Sequence, residues 1–172
     1  MIIELKEGAI PRHAKRAKYN EAAKQFLHEQ TRKLVEAGMW YLNPRARCSS
    51  RALVQAKPHG GSRLCVDLRR LNSMTVPMSW VPLDFDSIGI RLSGSRVFIT
   101  LDASNGYFQL PVHKKSQELF SVSTHEGIYT SARTLQGSVN GSMHWQSTMK
   151  IVYPEQEGFE INMDDILIHD LR

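Results

Sequence analysis

Cysteine is nearly absent: Cys48 and Cys65 are the two in 172 residues. They match neither the spacing of a zinc pair nor a disulfide framework, and each reads as a small, apolar, buried or half-buried residue. Long hydrophobic runs are missing too. No stretch approaches the ~20 apolar residues of a membrane helix. The start, Met1-Ile2-Ile3-Glu4-Leu5-Lys6, is not a signal peptide. A soluble, intracellular chain with no membrane partner is therefore expected. What is present is 41% hydrophobic content, which can bury the core of one domain or of two closely packed subdomains.

Acidic residues are scarce in the first part of the chain. Residues 1–72 carry 15 Lys and Arg against 6 Asp and Glu, whereas residues 73–172 carry 7 against 11. A basic front half beside an acid-bearing back half suits a polyanion tracking toward a metal site, although a solvated basic face has the same composition.

Residues 7–19, with Gly8, Pro11, Arg12, Lys15, Arg16 and Lys18, read as an extended basic lead-in. Asn20 can cap a helix that places Ala23, Phe26, Leu27, Leu34 and Val35 broadly on one face and ends at Gly38. Short strands follow: Ala52 to Ala56, a Pro58-His59-Gly60-Gly61 reversal, and Arg63 to Arg69. Lys57 and Arg63 flank that turn. Cations there suit a triphosphate, and equally they blunt an edge strand. After Pro77, Trp80 and Pro82, Asp84 or Asp86 can open a short helix that Gly94 closes. The apolar run Val97 to Leu101 then predicts a strand covered on both faces, with Asp102 at its end.

Near the C-terminus, Asp164 and Asp165 stand between two apolar runs, Glu160 to Met163 and Ile166 to His169, and predict a hairpin with both carboxylates at its tip. An Asp-Asp pair alone is a common turn. With Asp102 it becomes three carboxylates on strand ends, which can hold hard divalent metal ions. The seven histidines have no partners at metal-ligand spacing, and Trp145 and Met149, four apart on a predicted helix, read as core.

The stretch Leu101-Asp102-Ala103-Ser104-Asn105-Gly106-Tyr107-Phe108-Gln109-Leu110 resembles the first catalytic motif of reverse transcriptases of gypsy-like long-terminal-repeat retrotransposons and retroviruses. Arg63 to Asn72 is similar to the fingers strand of that family. Leu135-Gln136-Gly137 with Trp145-Gln146-Ser147-Thr148-Met149 is similar to its second palm motif, and Met163-Asp164-Asp165-Ile166-Leu167 to its double-aspartate hairpin. Four motifs in family order are more specific than any one of them.

The resemblance implies an α+β fold of right-hand polymerase fingers and palm, with an antiparallel palm sheet backed by helices. It divides the chain into a lead-in at 1–19, a fingers-like region at 20–95 and a palm at 96–172, with fingers elements partly interleaved. It implies RNA-directed DNA synthesis on an RNA or DNA template with a primer, from deoxynucleoside triphosphates. Asp102 and Asp164 would bind metal and Asp165 would complete the cluster around two magnesium ions about 4 Å apart, with manganese as a substitute. Lys57 and Arg63 would hold the triphosphate, and Asn105 and Gly106 would offer it backbone N–H groups. Tyr107 would lie under the sugar, and Gln136 and Gly137 would shape the nucleotide pocket. The parent would be a polyprotein in the cytoplasm or in a virus-like particle.

There are departures from the family pattern. Only 14 residues separate Met149 from Asp164, Asn162 stands where an aromatic is usual, and Met143 replaces a small residue or proline. The sequence given stops at Leu171-Arg172, short of a thumb and a ribonuclease H region. A catalytically inactive remnant that at most binds nucleic acid is the alternative expectation.

Overall fold

The computed structural model describes residues 1–15, 17–79, 85–154, 158–163 and 165–170. They fall into two compact units interleaved in sequence, Met1–Pro77 with Tyr107–Gly141 and Met78–Gly106 with Ser142–Arg172. The segments 20–95 and 96–172 are thus each divided between the units.

The first unit is built on a five-stranded sheet of order β1-β6-β5-β2-β3. Its helix α1, Glu21–Glu36, starts where the Asn20 side chain accepts the Ala23 N–H, and Gly38, with φ 66°, follows it. Leu27 and Thr31 are its buried residues, and Val35 is exposed. At 3.6 residues per turn Val35 lies about 80° around the helix from Leu27, outside the packed stripe that the sequence extended to it.

The β2 strand, Ser50–Ala56, and β3, Ser62–Asp67, form the expected hairpin, in register from Arg51↔Asp67 to Ala56↔Ser62. On its other edge β2 pairs in parallel with β5, Ser121–Ser123. Then come β6, Ile128–Ser131, and β1, Trp40–Leu42, both antiparallel. Leu27, Trp40, Ala52, Leu71, Phe120 and Val122 are among the core of this unit. The same core takes in Leu71 of α2, Arg69–Met74, and the unit also holds the one-turn helix α5, Lys114–Gln117.

The second unit holds a three-stranded antiparallel sheet of order β4-β8-β7. Its strands are β4, Val97–Asp102, β7, Phe159–Asn162, and β8, Asp165–Asp170. Two helices accompany them, α3, Phe85–Leu92, and α6, Gly141–Val152. Arg91 on α3 holds Glu160 on β7 (Nη2 to Oε2, 2.7 Å), and that guanidinium keeps the Glu160 carboxyl below its ordinary range. Trp145 and Met149 are buried, as their spacing predicts.

The covered-strand expectation for β4 is corrected: every residue from Val97 to Asp102 is exposed, Phe98 at 50% and Ile99 at 51%. The reason is position. This strand is the edge of a three-stranded sheet, and an apolar run by itself does not say what packs on it.

Candidate active site

The two strands that end in carboxylates are neighbours. In the antiparallel pairing of β4 with β8, Asp102 is the register partner of Asp165. Directly opposed residues share a face, with Cβ atoms about 4.5–5.5 Å apart. Both side chains are exposed, and neither accepts a hydrogen bond or forms an ion pair among the described residues. Like charges facing each other across a strand pair destabilise it, so such a pair in open contact with solvent is suited to a cation. Hard oxygen donors with free lone pairs fit magnesium. Among the described residues no group of three His, Cys, Asp or Glu is assembled for a metal, and Asp164, the third expected ligand, lies outside them.

Asp165 is not at the hairpin tip. It opens β8 and is paired on one side with Asn162 and on the other with Asp102, while Met163 turns the chain with φ 54°. A side chain with a Cβ resists that conformation. Three hydrogen bonds from α6 hold it. The Trp145 Nε1 donates to the Met163 carbonyl at 2.7 Å, Gln146 Oε1 accepts the Met163 N–H at 2.7 Å, and Gln146 Nε2 donates to the Ile161 carbonyl at 2.9 Å. Gln146 is fully buried. The sequence placed Gln146 in a motif without a task; the signal was a polar side chain beside core residues, which must find partners inside.

The turn after Asp102 carries Asn105 and Gly106. Asn105 takes the left-handed conformation, φ 52°, and Gly106 donates its N–H to the Ala103 carbonyl at 3.2 Å. That amide is thus directed into the turn. Gly106 then opens the helical turn α4, Gly106–Gln109, which places Tyr107 in that turn.

In the first unit, Lys57 and Arg63 are exposed beside the β2–β3 turn, where Lys57 N–H bonds to Gly61 O at 3.0 Å and Arg63 is paired with Gln55. Gln136 and Gly137 lie exposed in the loop after β6, Gly137 with φ 87°. Further along that loop, a Cβ on Gly141 would stand 3.5 Å from the Tyr107 ring and 2.5 Å from Ser138 Oγ. Tyr107 is therefore close to Gly141, where that loop runs into α6, and the two cations belong to a separate turn of the same unit.

Asp67, at the end of β3, is gripped by Arg69 through two bonds of 2.8 Å, with Arg51 at 3.5 Å. The Arg69 bonds hold its carboxyl at about 2. A depressed folded value means stability that is present above the ordinary carboxylate range and lost as pH falls toward 2. Asp67→Asn is expected to flatten the fall in melting temperature between about pH 4 and pH 2. Thermal melts of both proteins across that range check it. Arg69 is largely exposed, so the effect is modest and smaller at high salt.

A model of the family described as reverse transcriptase (RNA-dependent DNA polymerase) matches residues 55–170. The chain belongs to that family. It is 32% identical over 108 residues to the retrovirus-related Pol polyprotein from transposon gypsy of Drosophila melanogaster, a match covering 62% of this chain and 10% of that protein. To the Gag-Pol polyprotein of walleye dermal sarcoma virus it is 31% identical over 112 residues, 62% of this chain and 6% of that one. The chain thus spans a tenth or less of these relatives.

Prototype foamy virus protease-reverse transcriptase superposes with a TM-score of 0.80 at 22% identity, over 95% of this chain and 22% of that one. The foamy viral protease-reverse transcriptase dRH in complex with double-stranded DNA gives 0.79 at 21%, over 93% and 28%. The α+β fold is accordingly that of reverse transcriptase fingers and palm, and no helix among the described residues is long and apolar enough to cross a membrane.

Proposed function

We propose that this reverse transcriptase family member supplies the nucleotidyl-transfer centre of an RNA-directed DNA polymerase. The observation that carries the reading is Asp102 facing Asp165 across β4 and β8, in a chain whose matched family synthesises DNA. In this reading the second unit is the palm and the first the fingers. Asp102, Asp164 and Asp165 would hold magnesium, which when bound favours the primer 3′ hydroxylate and offsets charge on the leaving pyrophosphate.

The chain's own residues bind and orient. Lys57 and Arg63 take the triphosphate, Arg by a fork of bonds and Lys as a point charge. The ring of Tyr107, backed by Gly141, lies under the sugar and rejects a 2′ hydroxyl by contact, which selects deoxynucleotides. Gln136 and Gly137 close the pocket. The basic N-terminal half holds an RNA or DNA template mainly through phosphates, so template binding weakens steeply with salt. The parent is a polyprotein of retrotransposon type, carrying a thumb and a ribonuclease H region.

Extension of a 5′-labelled primer on an RNA template by the full chain, with the four deoxynucleoside triphosphates and magnesium, tests the reading. Template-directed extension that a chelator abolishes is the expected result. Template binding without extension, at any magnesium or manganese concentration, overturns it in favour of an inactive remnant.

A further inference from the structure

The helix α2 and the loop that carries Gln136 and Gly137 are 65 residues apart in sequence and are bonded by one side chain. Asn72 donates through Nδ2 to the Gly137 carbonyl at 2.8 Å and accepts the Val139 N–H on Oδ1 at 3.0 Å. The orientation of the amide is fixed by chemistry, because the reverse would set N–H against N–H and oxygen against oxygen. Asn140, itself buried, returns a bond from the loop to the Val76 carbonyl at 2.9 Å, just past the end of the same helix. The loop is thereby tied to α2 at Gly137 and Val139, and at Asn140 to the segment just past that helix.

This tie reaches the site at two places. Gly137 is held at φ 87°, a conformation that favours glycine, and Gln136 precedes it. At the far end, a Cβ on Gly141 would stand 3.5 Å from the Tyr107 ring. Upstream, α2 continues from β3, which carries Arg63.

From these contacts we propose that Asn72 is a positioning residue for the incoming nucleotide, acting through Gln136 and Gly137. The assignment rests on the polymerase reading above. Asn72 itself touches no reacting atom. It sets the loop by satisfying one carbonyl and one N–H at once, a task that needs a donor and an acceptor on one short, planar side chain. Aspartate has the same shape but only accepts, so it keeps Val139 and turns a charge toward the Gly137 carbonyl. A residue that merely filled the space would be replaced by aspartate without loss.

The test uses the full chain with a dideoxy-terminated template-primer, magnesium and the complementary deoxynucleoside triphosphate. Affinities for the nucleotide and for the template-primer are measured separately in wild type, Asn72→Ala and Asn72→Asp, beside their melting temperatures. The nucleotide dissociation constant is expected to rise about tenfold or more in both variants, the loss of roughly one charge-free pair of bonds, with aspartate no better than alanine. Template-primer affinity is expected to stay within about twofold, as for any loss confined to one subsite. Equal nucleotide affinity in all three, or restoration by aspartate, or a matching loss of template-primer affinity, overturns the assignment while leaving the polymerase reading intact. Failure of the wild type to take the nucleotide overturns both.

Discussion

Asp102→Asn is expected to lower primer extension at least about a hundredfold and to leave the fold as stable as before, or more so. The rate effect follows from ligation. Loss of a group that only supports a metal ligand costs about 10–100-fold, and loss of a ligand should cost no less. The stability effect follows from the strand register. Asp102 and Asp165 face each other without a counter-charge among the described residues, and replacing one by a neutral amide of equal size removes a like-charge contact. A group retained against its own destabilising charge is a signature of function. Magnesium should then raise the melting temperature of the wild type, since an ion that binds only the folded state stabilises it, and should raise that of the variant far less. Extension assays and thermal melts with and without magnesium check both halves. Extension within threefold of wild type, or an equal magnesium-induced rise in the two proteins, would sink the metal assignment.

What could be read in the sequence was what local chemistry decides. The cap at Asn20, the glycine after α1, the Pro58-to-Gly61 reversal and the end of α3 at Gly94 all depend on a few adjacent residues, and all four elements stand as expected. The pairing of Asp102 with Asp165 is different in kind. It joins strands 63 residues apart, and neither composition nor periodicity contains it. Only the order of the family motifs pointed to it.

Two expectations failed because they needed a partner's identity. The β4 run is apolar whether or not anything covers it, and Asp is so common in turns that Asp165 was assigned to the tip, whereas it opens β8 opposite Asn162; Asp164 lies outside the described residues. Gln146 and Asn72 were passed over for a related reason. A polar side chain in a helix reads as a solvated face until its partners, distant in sequence, are seen.

Gln146→Leu tests how the site is held up, and it is expected to lower stability. Leucine is close to glutamine in size, so the buried space stays filled and no cavity is opened. What changes is bonding. The Met163 N–H and the Ile161 carbonyl both lose their Gln146 partner, and because these bonds are half-buried the loss lies toward the lower end of the about 1–3 kcal/mol that an unpaired buried group costs. The left-handed φ of Met163, 54°, costs ~1–2 kcal/mol in both proteins alike and so does not enlarge the difference between them. The unfolding midpoint in denaturant should therefore fall at unchanged slope, the mark of lost stability without a change in compactness.

Gln146→Glu is the milder change. Burial favours its protonated acid, which keeps an acceptor for Met163 and an O–H donor for Ile161, so it should fall closer to wild type than leucine does. Because Met163 leads directly to the carboxylates, the same leucine variant should also weaken the magnesium-induced rise in melting temperature, even when measured well below its own midpoint. A midpoint unchanged within error would mean that the hairpin is held by β7 and β8 alone and that the clasp from α6 is incidental to the site.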